Sequence, residues 1–203
     1  MKIIAYFDTL EGKRERREGI SVGLSGANEN GVMMAENVIV RPNTPLFIPD
    51  WLECRTAEVF LGARITRLGK FIEERFASRY WVKPIFGILA MPGFGPSNDN
   101  LSLILNTDNI LMLSKDFDFR EPLEIKSTDL STLGNVLFEK SFEVLELEGE
   151  IDRAIARASY GRTLHTGDVV LAGRFPSLSI PLIPDTRLIV FKGEEILLNH
   201  KIK

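Results

Sequence analysis

The chain is poor in cysteine and histidine. Cys54 is its only cysteine among 203 residues. No intrachain disulfide and no cysteine-based zinc centre can form from one thiol. The two histidines, His165 and His200, lie far from Cys54 in sequence, and nothing marks either as the base of a thiol nucleophile. Clustered positive charge is also missing. The formal net charge is −3, whereas a nucleic-acid partner needs grouped Lys and Arg to neutralise phosphates. The basic run Lys13-Arg14-Glu15-Arg16-Arg17 is broken by Glu15 and followed by Glu18, the pattern of a solvated face. The longest uncharged stretch, residues 84–98, is interrupted by Pro92, Pro96, Gly87, Gly93 and Gly95, so it is no membrane span. Residues 1–8 are too short in apolar length for a signal peptide. There is no Gly-x-Ser-x-Gly elbow, and the glycine-rich loop at 92–96 lacks the following lysine and helix of a phosphate cradle. These absences point to a reducing, cytoplasmic setting with neither nucleic-acid nor membrane partners.

What remains is an ordinary globular composition, 44% apolar and 26% charged. A chain of this size buries a core without covalent staples and reads as one domain over 1–203. Short apolar runs bounded by turn residues predict strands at 2–7, 20–24, 32–40, 58–65, 82–91, 101–105, 109–113, 122–126, 135–139, 168–171, 186–191 and 195–200. The last two are joined by a two-residue turn at Lys192-Gly193. Two helices are expected. Over about 70–80, Ile72, Phe76 and Tyr80 recur every four residues. Over 142–160, Leu147, Ile151, Ala154, Ile155 and Ala158 form one stripe, with Ser141 as the cap and Gly161 as the stop. Many strands and two principal helices make an α+β, mostly β, domain.

Two separated segments resemble a known family. The first is Thr56-Ala-Glu-Val-Phe-Leu-Gly-Ala-Arg64, preceded by Pro45-Leu-Phe-Ile-Pro-Asp50. The second is Thr163-Leu-His-Thr-Gly-Asp-Val-Val-Leu-Ala-Gly173, followed by Leu182-Ile-Pro-Asp185. Both are similar to stretches of the fumarylacetoacetate hydrolase family, in the family's order. The core-like region runs over 45–203, and residues 1–40 diverge except in their opening strand. The resemblance implies a mixed β-sandwich roll and a homodimer.

It also implies a site. In the family, a strand carries Glu-x-Glu and a third carboxylate follows about thirty residues on, together holding a Mg²⁺ ion through oxygen ligands. The ion polarises a keto or enol oxygen of an acylpyruvate-like substrate, for hydrolysis, decarboxylation or tautomerisation. In this sequence the first carboxylate is Glu58, the second position is Phe60 and the third falls on Leu89. The loop that reads Thr-Gly-Thr-Pro in the family is Ala172-Gly-Arg-Phe175, which loses two hydroxyls and gains Arg174. The helical His…Glu pair of many members is missing, since no histidine precedes His165. Leu105 stands near the family's lysine position.

Each candidate has a bland alternative. Glu58 is either a functional acid or a carboxylate held by a neighbouring arginine such as Arg64 or Arg55. Arg174 is either a clamp for an acidic ligand or an exposed loop arginine. His165 and Asp168 read as turn residues, and Asp116 and Asp118 as a strand edge or turn. The expectation is therefore a family scaffold without its metal-dependent activity, serving as a small-molecule-binding or interaction protein, with no cofactor. Mg²⁺ enters only if the site is rebuilt from Glu58, Arg174 and carboxylates such as Asp99 or Asp108, giving an active hydrolase or isomerase of keto acids. A structural subunit paired with an active paralogue is the third alternative.

Overall fold

The computed structural model describes residues 1–6, 8, 10, 31–41, 44–48, 56–90, 110–118, 122–131, 135–143 and 147–203. The strands are β1 (Lys2–Ala5), β2 (Val32–Ala35), β3 (Thr56–Arg64), β4 (Pro84–Ala90), β5 (Ile110–Leu113), β6 (Leu123–Asp129), β7 (Val136–Phe142), β8 (Val169–Pro181), β9 (Thr186–Lys192) and β10 (Glu195–Ile202). The helices are α1 (Glu74–Ala77) and α2 (Glu148–Tyr160), with a 3-10 turn at Glu36–Val38. The mostly-β α+β reading therefore holds.

Six strands form one mixed sheet in the order β2-β1-β8-β3-β4-β5, with β1 parallel to β8 and the other pairs antiparallel. Its two edges meet. After β2 the chain passes through the 3-10 turn, and Ile39 bridges Leu111 of β5, at the far edge. Val40 N–H donates to the Leu111 carbonyl at 2.9 Å. The four steps from residue 35 to 39 reach at most about 14 Å, so the sheet is curled into a roll.

Strand alternation sorts β3 between the two sides of this roll. Ala57, Val59, Leu61 and Ala63 face outward, into a core shared with α2 and with the second sheet, β10-β9-β6-β7. Phe60 faces inward, packed with Ile3, Met34, Ile85, Leu89, Leu111 and Leu171. Two glycines make that interior fit. A Cβ on Gly62 would lie 2.3 Å from the Val170 carbonyl oxygen, and one on Gly87 would crowd the Leu171 and Leu111 side chains at 3.1–3.2 Å. The leucine side chains fill the space these glycines leave.

Several local expectations change. The helix expected at 70–80 is a single turn, Glu74–Ala77. Phe71 adopts φ +54, which no right-handed helix accommodates, so the chain bends before the turn begins. Ile72 is buried, but Phe71 is 62% exposed, with its ring edge-on to Tyr160. The helix expected at 142–160 starts only at Glu148, because residues 136–142 pair with β6 as β7. Ser141 lies in β7 opposite Glu124, so it caps nothing, and Leu147 at the N-cap offers no side-chain bond. The stripe from Ile151 to Ala158 does face the core. Tight-turn residues between β9 and β10 are Gly193-Glu194, one residue later than expected, with Gly193 at φ +55. Expected strand 32–40 stops at Ala35, where the 3-10 turn redirects the chain. The expected strands at 20–24 and 101–105, and the basic run at 13–17, lie outside the described residues.

Candidate functional site

Glu58, Phe60, Leu89 and Arg174 come together on one face of three adjacent strands. Glu58 is the cross-strand partner of Leu89, and Phe60 is the partner of Gly87 on one side and of Arg174 on the other. Side chains in such registered pairs start about 5 Å apart. Near its exposed start at Thr56, β3 carries the half-buried Glu58, and Phe60 stands two residues further in. Phe60 is 0% and Leu89 1% exposed.

Arg174 answers the question of what holds Glu58. Its Nη1 donates to both carboxylate oxygens, at 2.8 and 3.0 Å. The side chains are 28% and 22% exposed, respectively. Arg64 does not take this role. Arg64 faces Asp116, at 3.6 Å, and Arg55 lies outside the described residues. Nor is Arg174 an exposed loop residue, because residues 172–175 continue strand β8. They pair with Val59, Phe60 and Leu61 of β3 on one edge, and a second long-range contact holds the other. Arg174 N–H donates to the Asp8 carbonyl and its own carbonyl accepts from Leu10 N–H, at 2.8 and 2.9 Å. A Cβ on Gly173 would stand 2.6 Å from that Asp8 oxygen, so the close approach requires glycine. Asp8 is itself fixed by Arg157 at 2.6 Å, whose guanidinium lies over the Tyr6 ring at 4.3 Å. Burial raises the Tyr6 phenol above its ordinary range, opposed by Arg157 and Arg162.

A divalent ion does not fit these residues. Mg²⁺ requires near-octahedral oxygen coordination. Phe60 and Leu89 offer no lone pairs, and both Glu58 oxygens accept from a guanidinium. Among the described residues, no group of three or more His, Cys, Asp or Glu stands close enough to hold a metal. Asp99, Asp108 and the neighbourhood of Leu105 lie outside the described residues.

The remaining sequence candidates are structural. Asp168 is 2% exposed, and its carboxylate accepts the backbone N–H of Lys2 at 2.8 Å and of His165 at 2.9 Å. Gly167, at φ +91, donates to the Ile65 carbonyl, so this turn binds the starts of β1 and β8 to the end of β3. His165 and Asp168 are turn residues, as expected. Asp116 and Asp118 follow β5 outside any strand. Sequence reading missed the Trp81 indole, which donates to Asp152 at 2.8 Å, where burial raises the Asp152 carboxyl. It also missed that Glu150, on the buried side of α2, is chelated by Arg153. Among the described residues, no helix is long and apolar enough to cross a membrane.

Neither the models of known families nor the curated proteins contain a match to this sequence. Solved structures do resemble its fold. A Yersinia pestis CO92 protein assigned to the fumarylacetoacetate hydrolase family matches with a TM-score of 0.66 and 17% identity, over 100% of this chain and 93% of that one. The 5-carboxymethyl-2-hydroxymuconate delta-isomerase of Mycobacterium smegmatis matches at TM-score 0.63 and 17% identity, over 99% and 78%. The maleylpyruvate hydrolase of Sphingobium sp. SYK-6 matches at TM-score 0.64 and 14% identity, over 99% and 70%. At these identities the likeness establishes architecture. The chain has the fold of the fumarylacetoacetate hydrolase family's isomerases and hydrolases, and on that fold Glu58 and Arg174 form an ion pair.

Proposed function

We propose that this protein keeps the fumarylacetoacetate hydrolase scaffold without its metal-dependent chemistry, and acts as a binding or interaction protein. One observation carries the reading. Phe60 and Leu89 occupy the positions where the resemblance expects carboxylates, and both are fully buried against apolar neighbours inside the roll. Such side chains are packing elements, and exchanging either for a carboxylate would bury a charge in a site built to exclude water. An acidic small molecule is the ligand class that the family resemblance suggests. Pairing as a homodimer in the cytoplasm belongs to the same proposal. Its support is the resemblance alone, and sedimentation of the purified chain tests the pairing.

A second reading has its own support. The solved neighbours include a 5-carboxymethyl-2-hydroxymuconate delta-isomerase and a maleylpyruvate hydrolase, and a catalytic protein with a rebuilt site would draw on Asp99 and Asp108. Incubation of the protein with a panel of acylpyruvates and Mg²⁺ or Mn²⁺ separates the two. The proposed reading expects turnover no faster than with the metal alone. Metal-dependent hydrolysis or tautomerisation that rises with protein concentration establishes the second.

A further inference from the structure

The disagreement between this site and a divalent ion has a positive side. A carboxylate three-quarters withdrawn from water, between an apolar strand and Leu89, needs a compensating cation. We infer that Arg174 is that cation: its guanidinium takes over the charge-balancing task of the metal, making Glu58 a permanent ion pair of the fold in place of a ligand.

Three observations converge on it. The guanidinium is in direct contact with both Glu58 oxygens, through a single nitrogen at 2.8 and 3.0 Å. Arg174 is the one charged residue in the thirteen of β8, and it reaches Glu58 diagonally from its register partner, Phe60. The backbone at Arg174 is also clamped on its other side by Asp8 and Leu10, so the guanidinium is supplied from a fixed base. A rigid, always-charged group held in this way cannot dissociate as an ion can. It neutralises Glu58 at every metal concentration, and it leaves no oxygen of that carboxylate without a donor.

The inference shares its site with the reading above and rests on it only in taking Glu58 as a residue without a catalytic partner. A double-mutant cycle on the full chain tests it, read by thermal unfolding without added metal. Arg174→Met removes the charge at similar length, and Glu58→Gln removes the other charge at equal size. Each is expected to lower Tm by about 5 °C, since breaking one side of a half-buried pair strands the other. Glu58→Gln with Arg174→Met together should return to within about 2 °C of the wild type. Arg174→Lys should retain more stability than Arg174→Met, because it keeps the charge while losing the planar guanidinium.

Single losses that simply add in the double variant overturn the inference. So does equal destabilisation by Lys and Met, which makes packing the whole effect. A Tm rise of the wild type in Mn²⁺ that Glu58→Gln abolishes does the same, since it shows an ion competing for that carboxylate. If one single variant fails to fold, the Lys comparison and the double variant still decide. Acylpyruvate turnover shared by the wild type and the double variant would remove the reading of the previous section and leave this one intact.

Discussion

Phe60 is the register partner of Gly87 across the β3–β4 pair, and the space above the glycine belongs to Leu111 and Leu171, which share one buried cluster with Phe60. The lumen of the roll is thus filled by matched large and absent side chains. Phe60→Ala should lower unfolding free energy by about 3–5 kcal/mol, the usual cost of deleting a buried ring. Phe60→Glu should cost at least as much, because the new carboxylate would lie beside Glu58 with Arg174 shared between them. Urea unfolding of the two variants checks this. A loss below about 1 kcal/mol for Phe60→Ala would mean the lumen is not packed as described.

The Asp168 carboxylate gathers two backbone N–H groups from residues far apart in sequence, Lys2 and His165. Asp168→Ala leaves both donors without that acceptor in a buried turn. It should cost about 3 kcal/mol and expose the first strand, while Asp168→Asn, which keeps one oxygen, should cost about half as much. Hydrogen exchange at Lys2 and His165 should accelerate in the alanine variant before exchange in β9 does, because only the former lose their acceptor.

His200 sets a pH dependence. It is 3% exposed, with Nδ1 3.3 Å from the Thr44 carbonyl oxygen, and burial lowers its pKa. Between that lowered value and the ordinary value of about 6.5, the unfolded chain binds the proton and the folded chain does not. His200 therefore contributes stability that is present above pH about 6.5 and is lost as pH falls toward the folded value, at up to about 1.4 kcal/mol per pH unit. The urea midpoint of the wild type should fall from pH about 7 to 5.5, and His200→Gln should flatten that slope. An unchanged slope in the variant would assign the effect elsewhere.

The sequence made the architecture legible wherever local pattern and tertiary contacts agree. The stripe from Ile151 to Ala158 predicts a helix and forms one, because those residues meet the outer face of β8 and β3. The Ile72, Phe76, Tyr80 spacing has the same form, but Phe71 is left-handed and Glu73 extended, so the helix cannot begin before Glu74, and it is one turn long. Residues 172–175 look like a loop from their glycine and family position. They are strand because Val59, Phe60 and Leu61 of β3 pair with them on one edge while Asp8 and Leu10 bond Arg174 on the other, long-range interactions that no local window contains. The ion pair was half visible. Glu58 and Arg174 both stand out in the sequence, but each suggests a different partner. The available signal was that β8 holds a single charge, and that a lone arginine in an apolar strand needs a lone acid in its neighbour.

The central claim is that Glu58 is committed to a guanidinium and that the positions beside it carry hydrocarbon. Calorimetric titration of the purified wild-type chain with Mn²⁺ addresses this most directly, with Glu58→Gln as the control. The account predicts no binding tighter than about millimolar and no difference between the two proteins. Micromolar binding in the wild type that disappears in Glu58→Gln would contradict it.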